Sequence, residues 1–494
     1  MRHARLSRRE LLHLAGFGGL SWLGGRLLPG CADPEPVDPV RAAPSPEPPD
    51  DPSKPWWLRR NYAPVTESEA VKLEVVGAIP PALAGLYLRN GPNPSSGDSA
   101  HWFLGDGMAH GLRLENGVAA WYRSRYVQTA VLGQPSDDTV GPPRLDEHEA
   151  NTSILGYGGR VFCLQEVGLP YELSAKDLST VGTFDFGGLL QTAMTAHPKV
   201  DPVTGDLLFF GQDFLAGTVT FYRADRTGKL LQNQTIPLSQ AVMMHDFQVT
   251  QTHVIFMDLP LVFDLNLAIA GDALPFRWDP TNGARLGAMP RAGTATDVEW
   301  FDIDPCFVFH TWNAFHDPKD PDRILLDGVR YPDMWATGPS DFSNQGQPTR
   351  FALALGTGKA SVEAFDDRQA EFPRIHKGRQ GLPYRYGYGV ALEARPSGPD
   401  ITPPDQIVKF DQDAGSRTGF LLPAGQATDE PTFVPDPAGT SEDDGWLLSY
   451  VFDDAVNRSH LLILDASEMK EVGRVLLPVR VPHGFHGDFL PDEG

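Results

Sequence analysis

The stretch TAHPKVDPVTGDLLFF, residues 195–210, contains the first of four histidines that stand in short, distinctive strings. The other three are His245 in MHDF, His310 in FHTWNA and His486 in GFHG. Counted from His197, the separations are 48 (197 to 245), 65 (245 to 310) and 176 residues (310 to 486), so no two share a helix face. Such spacing is expected when each histidine comes from a different repeat of a closed ring and points at its axis. The pattern predicts a metal ion on that axis.

The same stretch continues into a strand pattern that recurs along most of the chain. Runs such as DLLFFGQD (206–213) and TVTFYRAD (218–225) are rich in Val, Phe, Tyr and Leu, and turn residues bound them. With 50 Gly and 45 Pro among 494 residues, turns are too dense for long helices. Repeated strands without intervening helices are typical of a sandwich, a barrel or a propeller. Because a propeller brings the first strand of every repeat to one axis, an all-β propeller is predicted.

The charge and the motifs exclude several classes of partner. The formal net charge is −23, and no block of Lys and Arg occurs after the first 30 residues. Nucleic acid is bound largely through cationic contacts to its phosphates, so it is excluded as a partner. The Gly-rich string GYGGR (156–160) lacks the strand–turn–helix frame of a nucleotide site, so neither a nicotinamide nor a flavin cofactor is predicted.

The N-terminus has the features of an export signal. SRRELL (7–12) resembles a twin-arginine motif, and the Gly-rich apolar stretch after it is too weak for a membrane-spanning helix. LLPGC (27–31) is similar to the cleavage box of a bacterial lipoprotein, which would make Cys31 a lipidated first residue. We predict that residues 1–31 direct the protein to the periplasm as a membrane-anchored lipoprotein; the alternative is a cytosolic tail.

Composition then divides the rest of the chain. Residues 32–58 are rich in Pro and Asp and have few apolar groups, so an extended tether is predicted there. Residues 59–494 are predicted to form the propeller domain. Cys163 and Cys306 lie inside apolar strand-like runs, which favours buried free thiols over a disulfide.

A series of strings in one order, beginning near Asn61, resembles the carotenoid cleavage oxygenase family, also called the retinal pigment epithelial membrane protein family. Beyond the histidine strings it includes LRNGPNP (88–94), GDGMAHG (105–111), LQEVGLPYEL (164–173), EFPRI (371–375), DEPTFV (429–434) and VPHGFHGDF (481–489). The resemblance implies a seven-bladed β-propeller with a cap of loops and short helices over an axial iron site.

The resemblance also implies the residues of that site. It implies one Fe(II) per chain, dioxygen as co-substrate, no catalytic residue beyond the iron centre, and four ligands: His197, His245, His310 and His486. His483 stands three residues before the last of these, and GFHG gives the ligand position to His486. Four neutral imidazoles leave an octahedral Fe(II) two open positions. Outer glutamates are implied to pair as Glu166 with His245, Glu371 with His310 and Glu430 with His486, and His197 is left without a carboxylate.

The implied reaction is the oxidative cleavage of a conjugated carbon–carbon double bond of a carotenoid or apocarotenoid into two carbonyl products. The stilbene-cleaving branch of the family adds a Tyr and a Lys that hold a phenolate. This chain has no Lys between Lys72 and Lys176, which favours the polyene, and stilbene cleavage remains the alternative. A retinoid-type isomerase and a non-enzymatic propeller scaffold are further alternatives.

An apolar polyene needs an apolar tunnel and a route from the membrane. Aromatic residues near the motifs are the candidates for the tunnel wall: Trp102, Phe103, Phe263, Trp312 and Phe315. A lipid anchor or an apolar surface patch would bring the protein to the membrane, where polyenes reside.

Overall fold

The computed structural model describes residues 50–134, 144–339, 341–342, 344–392 and 402–492. The predicted signal, Cys31 and residues 32–49 of the predicted tether lie outside them. Within the described part of the chain, no helix combines the length and the apolar character needed to cross a membrane.

Seven antiparallel sheets surround one axis and form the blades of a β-propeller, which confirms the predicted fold class. Because successive side chains of a strand point to opposite faces, the apolar runs seen in the sequence bury one or both faces against the neighbouring blades. The innermost strands of most neighbouring blades contact one another around the axis.

Blades 1 to 3 contain the N-terminal part of the domain, and the strands of each blade follow one another from the axis outward. Blade 1 has β33 (Gly487–Pro491), β3 (Gly85–Pro92), β4 (Gly107–Glu115), β5 (Val118–Tyr126) and β1 (Ser68–Val71). Blade 2 has β6 (Ser153–Tyr157), β7 (Arg160–Leu164), β8 (Tyr171–Leu173) and β9 (Thr180–Thr183). Blade 3 has β10 (Lys199–Val200), β11 (Leu207–Asp213), β12 (Thr218–Ala224) and β13 (Leu230–Pro237).

Blades 4 to 7 complete the ring. Blade 4 has β14 (Gln248–Val249), β15 (His253–Asp258), β18 (Ala284–Pro290) and β19 (Glu299–Ile303). Blade 5 has β20 (Phe307–Asp317), β21 (Asp320–Tyr331), β22 (Gln347–Ala354) and β23 (Lys359–Ala364). Blade 6 has β24 (Glu371–Ile375), β25 (Tyr386–Ala391), β26 (Gln406–Asp411) and β27 (Ser416–Leu421). Blade 7 has β29 (Thr432–Pro435) and β28 (Gln426–Thr428), then β30 (Gly445–Asp453), β31 (Arg458–Asp465), β32 (Lys470–Leu476) and β2 (Val75–Gly77).

The ring is closed twice by strands from the two ends of the domain. β33 pairs with β3, in register from Gly85 opposite Pro491 to Arg89 opposite Gly487. β2 pairs with the outer strand β32 of blade 7. Closure places the last residues of the domain beside the first, which explains how His486 reaches the other three histidines.

Short elements form the predicted cap over one end of the axis. Between β15 and β18 the chain inserts the hairpin of β16 (Leu261–Phe263) and β17 (Phe276–Trp278), and α1 (Leu265–Ala270) lies in that hairpin. Asp264 caps the helix by accepting from the backbone N–H of Asn266, and Gly271 ends it in the left-handed region. The 3₁₀ turns of the described residues are Trp56–Leu58, Arg60–Tyr62, Trp102–Leu104, Pro280–Asn282, Ala295–Asp297 and Lys377–Arg379.

The packed body begins before the predicted boundary at residue 59. Trp56 packs edge-on against Tyr62 and Trp102, with ring centroids 5.0 and 5.4 Å apart. The indole N–H of Trp57 donates to the Ser99 carbonyl (3.1 Å), and Leu58 is buried. The two half-buried tryptophans at the end of this polar stretch therefore pack their apolar area against the body of the fold.

Cys163 and Cys306 are both buried free thiols in different blades, as predicted. Burial raises the pKa of Cys163 above its ordinary range and that of Cys306 to about 11. Both therefore behave as small apolar core residues.

Candidate metal centre and cavity

The seven candidate site residues come from seven different blades. Each stands in or next to an inner strand, except Glu166, which follows β7 of blade 2. Blades 3, 4, 5 and 1 supply His197, His245, His310 and His486, respectively. Blades 2, 6 and 7 supply Glu166, Glu371 and Glu430, respectively. A propeller is the reason why residues so far apart in sequence meet at one point.

The four histidines converge on the axis. Each offers one ring nitrogen to a cluster in which these atoms all lie within 4.8 Å of one another. The Nε2 atom of His245 lies 2.9 Å from Nε2 of His197 and 3.2 Å from Nε2 of His310. Two nitrogens bound to one metal ion at about 2.1 Å and a right angle would be about 3 Å apart, so these separations match a shared coordination sphere.

Three of the imidazoles are held from behind by carboxylates. Nδ1 of His310 lies 2.6 Å from Oε2 of Glu371, and Nδ1 of His486 lies 2.8 Å from Oε1 of Glu430. Nδ1 of His245 contacts Oε1 of Glu166 in the same way. These are the three pairs that the family resemblance implied, and among the described residues His197 has no such partner.

The arrangement of these hydrogen bonds fits a bound cation. A neutral imidazole that donates through Nδ1 presents a bare lone pair at Nε2. In the cluster, three or four such lone pairs are directed at one point, and the nitrogen of His245 lies within hydrogen-bond distance of two others. The lone pairs repel one another unless a positive charge lies between them. Imidazole ligands suit Fe, Zn, Cu and Ni, so iron(II) is compatible with this donor set.

Burial keeps His197 in the form that a ligand requires. Burial and the neighbouring rings of His486, His245 and His310 hold the pKa of His197 well below its ordinary value. The imidazole is therefore neutral, and its nitrogen is available to a metal ion.

Asp246, which sequence reasoning missed, ties together the segments that carry three of the histidines. It directly follows His245 and is 1% exposed. Its Oδ1 accepts from Nζ of Lys199 (2.7 Å), and its Oδ2 accepts from the backbone N–H (3.0 Å) and hydroxyl (2.5 Å) of Thr311. Lys199 and Thr311 lie within two residues of the first and third histidines. A buried acid directly after a candidate ligand was the signal that could have identified it.

Phe372 carries local backbone strain beside the cluster. Its φ is 51°, in the left-handed region, although the next residue is Pro373. A residue before proline favours extended backbone, and a non-glycine residue in the left-handed region costs on the order of 1–3 kcal/mol. The ring lies 5.4 Å from His310 and 5.5 Å from His486 between ring centroids, so the strained conformation places an aromatic wall against two of the imidazoles.

The cluster opens into a cavity of about 1120 Å³ beneath the cap. His245, His310 and His486 line it together with many apolar residues of the cap and the blade loops. Three of the predicted tunnel residues, Trp102, Phe103 and Phe263, are in its wall. Neither Lys nor Arg is among the described residues that line it.

The other two predicted tunnel residues do not line this cavity, and the expectation for them is corrected. Trp312 is 2% exposed, its indole N–H donates to the Tyr388 carbonyl (2.8 Å), and it packs on Phe410. Phe315 is 5% exposed and packs on Tyr384. Both belong to the apolar core.

His483, which stands three residues before His486 in the sequence, is outside the cluster. Its Nδ1 lies 3.0 Å from Oδ1 of Asp429, and its ring packs on Tyr62. Asp429 in turn forms a buried ion pair with Arg89 at 2.6 Å. His483 is therefore a hydrogen-bonded core residue.

Comparison with known proteins agrees with this geometry. The sequence profile of the family described as "Retinal pigment epithelial membrane protein" matches residues 62–491. A "Carotenoid cleavage oxygenase" of Mycobacterium tuberculosis is 37% identical over 490 residues, covering 88% of this chain and 97% of that protein. A "Carotenoid 9,10(9',10')-cleavage dioxygenase 1" of Arabidopsis thaliana is 33% identical over 502 residues, covering 88% and 90%.

Solved structures show the same architecture. A lignostilbene dioxygenase of Pseudomonas brassicacearum superposes with a TM-score of 0.81 at 26% identity, covering 89% of this chain and 99% of that one. A cobalt-substituted Synechocystis ACO gives 0.79 at 28% identity, covering 88% and 98%. The chain therefore belongs to the retinal pigment epithelial membrane protein family, the family of the carotenoid cleavage oxygenases, as the strings in its sequence predicted.

Proposed function

We propose that the protein is a non-haem Fe(II) dioxygenase that cleaves a conjugated double bond of a carotenoid or apocarotenoid into two carbonyl products. One observation carries the proposal: four imidazoles converge within 4.8 Å at the end of a largely apolar cavity, and carboxylates orient three of them. The named functions of the relatives agree with it.

The chain's own residues would hold the metal ion and position the alkene. His197, His245, His310 and His486 would bind Fe(II), and Glu166, Glu371 and Glu430 would keep three of the rings in the ligating tautomer. Bound iron(II) would supply the activation of dioxygen. One dioxygen contains both oxygen atoms that two carbonyl products need, so the reaction balances without an external reductant.

The cavity wall supports binding of an apolar substrate. Phe103, Phe309, Phe372 and Phe485 are in the wall near the histidines, where they exclude water and pack against a flat conjugated chain. Such rings suit stacking with a polyene, whose double bond would then lie next to the imidazole cluster.

Stilbene cleavage remains the second candidate because the lignostilbene dioxygenase superposes with a TM-score of 0.81. A phenolate needs a cation or several donors in a site of low dielectric constant. The described lining residues include no Lys or Arg, which favours the uncharged polyene.

We further propose that the protein is exported by its twin-arginine signal, is lipidated at Cys31, and takes its substrate from a membrane surface. Leu215, Leu265 and Ile269 support the last step: these residues are 71%, 52% and 76% exposed and also line the cavity. An exposed apolar rim continuous with an apolar cavity suits docking on lipid. Fractionation of cells that express the full chain, with Cys31→Ser as the matched variant, tests the anchor: the wild type should stay with membranes and the variant should be released.

The function is tested with the purified Fe(II)-loaded protein, under air, against carotenoids, apocarotenals and hydroxystilbenes. Chromatography and mass spectrometry should find a pair of carbonyl products from one polyene, and His245→Ala should abolish them. Products from stilbenes alone would establish the second candidate. A protein that isomerises a retinoid without consuming oxygen would be an isomerase, and one that retains no iron and forms no product would be a scaffold.

A further inference from the structure

One part of the cavity wall is polar, and the proposed reaction does not use it. Glu149 and Gln165 both line the cavity, and Gln165 directly precedes Glu166, which holds His245. Adjacent Cα atoms are about 3.8 Å apart, so this polar wall begins one residue along the chain from Glu166.

Gln165 is fixed by the backbone and in turn orients Glu149. Its side-chain oxygen accepts from the backbone N–H groups of Glu149 (3.0 Å) and Ala150 (3.3 Å). Its amide nitrogen donates to Oε2 of Glu149 (3.0 Å). The amide oxygen is therefore fully used, and the carboxyl group of Glu149 is held in one place at the cavity wall.

The carboxyl group of Glu149 retains capacity for another hydrogen bond. A carboxylate offers about four acceptor positions, and Gln165 is the side chain that donates to it. Burial raises the pKa of Glu149, against the opposing hydrogen bond from Gln165. No Lys or Arg is among the described lining residues, so a ligand that carries a donor fits this remaining acceptor capacity.

The chemistry of the carboxyl group selects the ligand. A hydrocarbon would cover it and leave an acceptor unsatisfied, which costs binding free energy. An anionic ligand would be repelled by it. A hydroxyl group donates to it and carries no charge to desolvate.

We propose that Glu149, oriented by Gln165, binds a hydroxyl group of the substrate, so that the preferred substrate is a hydroxylated polyene rather than a pure hydrocarbon. The inference rests on the proposed function and specifies its substrate class. It assigns Glu149 as a residue that determines specificity and leaves the imidazole cluster as the reacting centre.

The test compares two polyenes that differ by a terminal ring hydroxyl. The iron-loaded wild type should prefer the hydroxylated one by about 10- to 100-fold in kcat/KM, as expected for one buried hydrogen bond. Glu149→Leu removes the acceptor and should bring the ratio close to one, and Glu149→Gln keeps an acceptor and should retain most of it. Glu147→Leu is the matched control, because Glu147 also lines the cavity but pairs with Arg144 at 3.6 Å, and it should keep the wild-type ratio.

Equilibrium binding separates the failure of this inference from failure of the proposed function. Quenching of tryptophan fluorescence gives the Kd of each polyene without turnover, and the Kd ratio should follow the same order among the variants. If the wild type binds the hydroxylated polyene more tightly than the other but cleaves neither, the proposed function is wrong and the hydroxyl site stands. The inference is overturned if the wild type does not distinguish the two polyenes, so that their ratio is near one, or if Glu149→Leu leaves that ratio unchanged. If a variant does not fold, the ratio of the wild type alone decides.

Discussion

His310 and His486 are held by carboxylates in the same way, but the two carboxylates differ in what else they bind. Glu371, behind His310, accepts a hydrogen bond of 2.6 Å from the neutral hydroxyl of Tyr331. Glu430, behind His486, accepts a contact of 2.5 Å from the cationic guanidinium of Arg374. Glu430 is also more deeply buried, at 2% side-chain exposure against 24% for Glu371.

The pKa values of the two imidazoles shift in opposite directions. Burial lowers the pKa of both imidazoles. At His310 the Glu371 carboxylate outweighs burial, and the pKa ends above its ordinary value. At His486 burial outweighs Glu430, the neighbouring His310 and Arg374 also lower the pKa, and it falls to about 4. A glutamate behind a histidine therefore does not fix the pKa of the ring by itself, because burial and the other charges around the ring also act on it.

The largest expected effect comes from removing a histidine ligand, whether or not a carboxylate holds its ring. His310→Ala and His197→Ala should each weaken metal affinity by more than about 100-fold, beyond the usual cost of an outer-sphere change, and abolish turnover. His310→Ala should also destabilise the metal-free fold more, because it removes the partner of Glu371. Metal content after dialysis and thermal unfolding measure the two effects. His253→Ala, on β15 outside the cluster, is the control and should keep its metal.

The second prediction separates the two carboxylates directly. Glu371→Gln and Glu430→Gln should both weaken metal affinity by about 10- to 100-fold. Only Glu430→Gln also deprives Arg374 of its carboxylate, at a cost of about 2 to 3 kcal/mol in the free energy of unfolding, since the guanidinium keeps its hydrogen bond to the Gly487 carbonyl. Chemical denaturation of the metal-free variants measures it. Equal destabilisation by the two substitutions would contradict the comparison.

Asp246→Asn extends the comparison to His197, the histidine without a carboxylate. Its segment is held through Lys199 and Asp246, so the substitution should weaken metal affinity by about 10-fold and stability by about 1 to 2 kcal/mol. Calorimetric titration with metal measures the first effect. Asp258→Asn is the matched control, since Asp258 is equally buried in blade 4 and pairs with Arg285 at 2.8 Å. The control should lose stability and keep its metal affinity.

The smallest effect is expected for Tyr331→Phe. It removes one neutral donor from Glu371 while the carboxylate keeps His310 and the backbone N–H of Phe372 (2.6 Å). The loss in stability should be about 1 kcal/mol, with metal affinity changed by less than about 10-fold. Thermal unfolding with and without metal measures both. A loss as large as that of Glu430→Gln would show that the hydroxyl and the guanidinium act alike.

Much of the site could be predicted from the sequence because the strings around its residues are local. His245 and Glu430 were found from MHDF and DEPTFV, and the structure brings each to the axis with the implied partner. Trp312 was assigned to the tunnel because it is an aromatic residue beside a ligand string, and residue type alone does not separate a cavity wall from the core. The pairing of β20 shifts register on both sides of Thr311, so alternation fails where the ligand stands.

By itself, the sequence determined the strands, the turns between them and the identity of the residues at the axis, because each is encoded within a few neighbouring positions. The tertiary structure alone decided which third group Glu371 and Glu430 bind and that Gln165 holds Glu149 at the cavity wall. Arg374 lies 56 residues from Glu430, and Tyr331 lies 40 from Glu371. No local pattern specifies such contacts, since they depend on how neighbouring blades pack and on the closure of the ring.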